Sequence, residues 1–65
     1  MRLYEVLECL HSKDIVTLAH RNHAVIKTGK VELMLCDEGI DLSQIVYALR
    51  AVSTDQIKIT VESEG

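Results

Sequence analysis

The chain reads as an α+β fold: a four-stranded antiparallel sheet with two helices packed on one face, in the order β-α-β-β-α-β. Three observations predict it. Apolar residues recur at helical spacing from Leu42 to Val52, they alternate with polar ones from Ile57 to Val61, and two β-rich runs flank Gly29 and Lys30. The 65 residues are 48% hydrophobic and carry a net charge of −3. That balance belongs to a folded domain and not to a disordered segment.

Leu3 to Leu10 mixes Leu, Tyr, Val and Cys with Glu5 and Glu8, and reads as the first strand. Ser12 suits an N-cap, because its hydroxyl can accept from a free amide of the first helical turn. It predicts a helix over Lys13 to Arg21, with Asp14 at the positive end and Ile15, Leu18 and Ala19 on one face. Asn22 suits a left-handed stop. Ala24 to Thr28 and Val31 to Cys36 form two strands, with Gly29 at the first central position of a type II′ hairpin turn. Asp37, Glu38 and Gly39 make a polar break. Asp41 and Gln44 give a capping-box pattern, with Ile40 and Ile45 at the two staple positions. Leu42, Ile45, Val46, Leu49 and Val52 then line one face of a second helix, Leu42 to Val52. Ser53, Thr54 and Asp55 turn the chain into the last strand, Ile57 to Val61. With no linker, repeat or low-complexity segment, residues 1–65 make one domain, and each β-α-β connection should cross over in the right-handed sense.

Composition narrows the function. No apolar run approaches the ~18 residues of a membrane span, and no secretory n-region and h-region precede the fold, which predicts a cytoplasmic protein without membrane contact. Cys9 and Cys36 read as reduced core thiols. Seven Lys and Arg against ten Asp and Glu, with Tyr4 and Tyr47 the only aromatics, argue against nucleic acid as a partner. His20 and His23 lack the paired Cys or His spacing of a zinc site, so neither a metal nor a cofactor is expected.

The candidate for chemistry is His11. A histidine beside a capping serine would sit in the positive field of a helix start, near unpaired amides that can hold a phosphate. Its bland counterpart is a solvated loop histidine. Cys9 and His11 do not make a nucleophile pair, because no third group or oxyanion donor stands beside them.

The segment Cys9, Leu10, His11, Ser12, Lys13, Asp14 resembles the Gly-Leu-His-Thr/Ala-Arg-Pro segment of HPr, the bacterial histidine-containing phosphocarrier of the sugar phosphotransferase system. Gly29 and Lys30 are similar to that family's hairpin turn, and Glu62 to Gly65 to its Ala-Glu-Gly-like ending. The resemblance implies an HPr-like sandwich, with a ferredoxin-like strand order as the alternative. It also implies His11 as phosphoryl acceptor, with Ser12, Lys13 and Asp14 around the phosphoryl oxygens and partner proteins in phosphotransfer. Lys13 stands where the family has arginine, keeping the charge but losing the bidentate fork. Asp14 replaces the family's proline and adds negative charge that opposes phosphorylation. The family's regulatory serine falls on Gln44, and its third helix has no counterpart.

The second function class is a non-enzymatic interaction module. Val31, Leu33 and Leu35 alternate with Met34 and Cys36, so a one-sided helical layer would leave Met34 and Cys36 on an exposed apolar patch. Folding of so short a chain buries only about 60% of its unfolded surface, which favours assembly into a homo-oligomer through the sheet face or its edge strand.

Overall fold

The computed structural model describes residues 1–62. It is an α+β protein in which each of two short helices precedes a β-strand pair: α1 (Leu3–Glu8), β1 (Ile15–Ala19), β2 (Val25–Lys30), α2 (Val31–Leu35), β3 (Val46–Ser53) and β4 (Gln56–Val61). The four strands form one sheet in the order β2-β1-β4-β3. β1 and β4 run parallel at its centre, and β2 and β3 flank them antiparallel. The sheet is therefore mixed and not antiparallel, and the element order is α-β-β-α-β-β in place of β-α-β-β-α-β.

Each reassignment has a physical reason. Leu3, Val6, Leu7 and Leu10 fall at i, i+3, i+4 and i+7, so residues 3–10 present one apolar stripe as a helix, and Leu3, Val6 and Leu7 are buried. The Glu5 carboxylate reaches back to accept the Arg2 amide at 2.9 Å, steadying the helix start. Ser12 caps nothing. The β-branched Ile15, Val16 and Thr17 open a strand in which Val16 and Leu18 point into the core. Gly29 is no turn residue: it sits inside β2, opposite Val16. The β1–β2 turn lies instead at 20–24, closed by a His20 amide bond to the Ala24 carbonyl at 2.9 Å. There the left-handed conformation falls on His23, at φ 73°, one residue beyond the expected Asn22.

The run Val31 to Cys36 is helical over Val31–Leu35, not a strand. Val31 and Met34, three apart, are both buried, while Leu33 is exposed. Met34 thus belongs to the core, and the exposed patch expected there does not exist. Cys9 and Cys36 are free and exposed, not core thiols. The Asp41 carboxylate accepts the Ser43 amide at 2.9 Å and its hydroxyl at 2.6 Å, which closes an Asx turn and leaves no helix to cap. Residues 46–53 are β3 despite their helical spacing. Its ladder with β4 sets Leu49 opposite Ile59 and Ala51 opposite Ile57 across the short Thr54–Asp55 connection. Tertiary pairing overrides the local pattern here. Only the strand near Val25 and the last strand stand close to where the sequence places them.

The core is one layer between the helices and the sheet. Leu3, Val6 and Leu7 of α1 and Val31 and Met34 of α2 pack on Val16, Leu18, Ile59 and Val61. Two helices do pack on one face, but they are not the expected ones, since Lys13 to Arg21 and Leu42 to Val52 contain β1 and β3. The chain start is tied in as well: the Met1 carbonyl accepts the Val46 amide, and the Leu3 and Tyr4 amides reach the Gln44 and Leu42 carbonyls, all at 2.9 Å. Residues 63–65, with the Glu64 of the acidic ending, lie outside the described residues.

This layering ranks two leucine truncations. Leu7→Ala should cost about 2–5 kcal/mol, as for a fully buried leucine. Leu49→Ala should change stability by only about 0.5 kcal/mol in the monomer, since Leu49 is 52% exposed. Urea midpoints at low protein concentration compare the two, and a helical core residue at 49 would reverse their order.

The carboxyls of Asp37 and Asp41 are held below the ordinary aspartate range. For Asp37 the cause is first the hydrogen bond from Lys27 and then the Gly39 amide; for Asp41 it is the Ser43 hydroxyl and then its amide. A depressed carboxyl stabilises the fold fully above its unfolded pKa of about 3.9 and loses that contribution as pH falls through the folded value. The urea midpoint should therefore hold from pH 7 to about pH 5 and drop below about pH 4. Asp37→Asn combined with Asp41→Asn should flatten part of that drop.

Candidate functional site

His11, Ser12, Lys13 and Asp14 lie together in the connection from α1 to β1. His11, Ser12 and Lys13 are exposed and Asp14 is half-buried. The segment is a tight turn held at both ends: the Asp14 amide donates to the His11 carbonyl at 3.1 Å, and the His11 amide donates to Asp14 Oδ2 at 3.2 Å. The chain leaves this turn as β1, so no helix starts at Ser12 to present its free amides to His11. The turn instead faces α2 with its carbonyls. Asp14 accepts the Val31 amide at 3.0 Å and Ser12 accepts the Glu32 amide at 3.1 Å. The loop thus satisfies the first amides of a helix whose own N-cap, Lys30, offers no side-chain cap.

His20 and His23 sit in the β1–β2 turn, where the His23 amide donates to the His20 carbonyl at 2.9 Å. Among the described residues no group of three or more His, Cys, Asp or Glu is placed to hold a metal ion. No helix there is long and apolar enough to cross a membrane.

A second location emerges on the sheet face away from the helices. Lys58 and Thr60 alternate with the core residues Ile57, Ile59 and Val61 and so project to that other face. In the β3–β4 register Arg50 stands opposite Lys58 and Ala48 opposite Thr60. The β1–β2 turn brings Arg21 and His23 to the same place, where the Arg21 guanidinium lies 4.4 Å from the Tyr47 ring centroid, a cation–π contact. Together they line an open depression of about 350 Å³ with no Asp or Glu among its described lining residues.

This grouping is invisible to local sequence patterns, which place Arg21 at a helix end and Arg50 on a helix face. The available signal was Lys58 on the wet side of an unmistakable strand, which asks what its neighbours on that side are. Compared with models of protein families, with characterised proteins and with solved structures, the chain gives no match in any of the three.

The turn geometry makes a direct prediction. Asp14→Ala should cost about 0.5–1.5 kcal/mol by releasing the His11 amide. It should also speed hydrogen exchange at Val31 and Glu32, whose acceptors are in the same turn. His11→Ala should leave both readouts within error, because among the described residues His11 is engaged through its backbone.

Proposed function

We propose that this protein is a non-catalytic interaction module that pairs with a second copy of itself along the outer edge of β3. The observation that carries the reading is β3 itself. It is an eight-residue edge strand, exposed at every position from Tyr47 to Ser53. On its outer side the Arg2–Ile45 bridge and the Met1–Val46 bond cover only the beginning. Beyond them the backbone groups have no partner strand among the described residues. Tyr47, Leu49 and Val52 are 55%, 52% and 60% exposed, and Arg50 is the strand's only charge. A long apolar edge of this kind is a template for another strand. Antiparallel pairing of two β3 edges would join the sheets of both copies and shield Leu49 and Val52, adding to a core that is small for an independent fold.

Phosphotransfer at His11 draws less support from the geometry. It relies on amides at a helix start, whereas the Asp14 amide is bonded to the His11 carbonyl and a strand succeeds the turn. His11 keeps exposure and the nearby Lys13, which a solvated loop residue shares.

Sedimentation velocity should show a dimer at micromolar concentration. Leu49→Lys combined with Val52→Lys should shift it to monomer by placing unpaired charge in the contact, with the circular dichroism spectrum unchanged. Wild-type protein that remains monomeric at millimolar concentration contradicts the reading.

A further inference from the structure

The cationic depression is unusual for a chain with a net charge of −3. Arg50 and Lys58 stand directly opposite each other on antiparallel strands, where like charges destabilise a sheet. Arg21 adds a third positive charge from the turn. The Lys27–Asp37 ion pair is elsewhere, and among the described residues no carboxylate lines the depression beside these three cations. Thr60, two residues along β4 from Lys58 and on the same face, also lines the depression, and its hydroxyl is a further donor there. These are separate observations with one chemical remedy. An oxyanion in the depression would separate Arg50 from Lys58, accept from Thr60 and take the guanidinium fork of Arg21, whose plane is already steadied by Tyr47.

We propose that the depression binds a small phosphate-bearing ligand, a phosphomonoester of the size of a nucleoside monophosphate. Its volume of about 350 Å³ is at the small end of ligand sites, which run from about 300 to 1,000 Å³. That suits one phosphate with a modest organic body. A phosphate dianion matches several convergent cations better than a single carboxylate does. The Tyr47 ring beside it offers an apolar surface for the body of the ligand. Although Arg50 belongs to the edge strand β3, its side chain and that of Lys58 stand on the face of the sheet, and every lining residue comes from one copy, so the site does not require β3 to pair.

The experiment uses the full chain and records backbone amide NMR shifts and the melting temperature. The probes are inorganic phosphate, AMP, citrate and a single-stranded oligonucleotide. AMP is expected to displace the amides of Arg21, Ala48, Arg50 and Lys58 saturably and to raise the melting temperature, with phosphate acting at the same residues more weakly. Arg50→Gln is expected to melt about 1–3 °C higher than wild type without ligand, because a like-charge contact is removed. It should bind AMP at least about tenfold more weakly. Arg21→Ala should show the same loss of affinity and serves if the first variant folds poorly. No displacement by AMP and phosphate overturns the proposal, as does undiminished AMP binding in both variants. A response to citrate equal to that to AMP would reassign the site to carboxylates. Oligonucleotide binding tighter per phosphate than AMP would replace the small ligand with a nucleic-acid strand.

Discussion

The parallel pairing of β1 with β4 is the constraint on which the rest of the molecule rests. It joins the first strand to the last and sets Val16 beside Ile57 and Leu18 beside Ile59. Their alternation decides which face of the sheet becomes the core. Parallel neighbours cannot be linked by a tight turn, so the intervening chain has to travel from one end of the sheet to the other. It does so by adding β2 and β3 as antiparallel partners on either side, and by running α2 across the face where Val16 and Leu18 point. α1 closes the same layer from the chain start. With both helices committed to one face, the other is left to solvent, and that is where Arg50, Lys58 and Thr60 emerge.

The sheet consequently has three distinct surfaces. One is apolar and covered by helices. One is polar, with positive groups concentrated over the β3–β4 half. The third is the β3 edge, whose side chains divide between the two faces. Leu49 continues the core face outward past the end of the helical cover, while Arg50 belongs to the charged face. A strand serving both surfaces has little freedom in its sequence. This is a physical account of how eight residues with a helical apolar spacing can nonetheless form a strand.

How much of this was legible in the sequence varies by element, and the reasons are local. The α+β class and the Ile57–Val61 strand were readable, the strand because alternation with a charged face has no helical interpretation. Both expected helices, Lys13 to Arg21 and Leu42 to Val52, proved to contain strands. The stripe Leu3, Val6, Leu7, Leu10 was also there to be read; the tyrosine, valine and cysteine in the same stretch argued for a strand and obscured it. Ser12 was misleading for a different reason. A serine before a charged pair looks the same whether it caps a helix or stands in a tight turn, and the β-branched run after it is what distinguishes the two. α2 could hardly have been found, since a five-residue helix depends on contacts the sequence does not display. The cationic depression was hidden for the same kind of reason. Arg21, Arg50 and Lys58 are distant in the chain, and only the sheet order brings them together.

The carbonyls of Ser12 and Asp14 that receive the first amides of α2 have a further consequence, for the order in which the molecule assembles. A helix of one turn has no stability of its own in water, because nucleation fixes several residues for a single hydrogen bond. α2 gains its first acceptors from a loop that precedes β1, and its burial from residues of β1 and β4. It is therefore a late product of folding, formed once the β1–β2 hairpin has carried Val31 back beside Asp14. The β1–β4 ladder joins segments from opposite ends of the chain, and such non-local pairing makes for slow folding relative to the chain's small size.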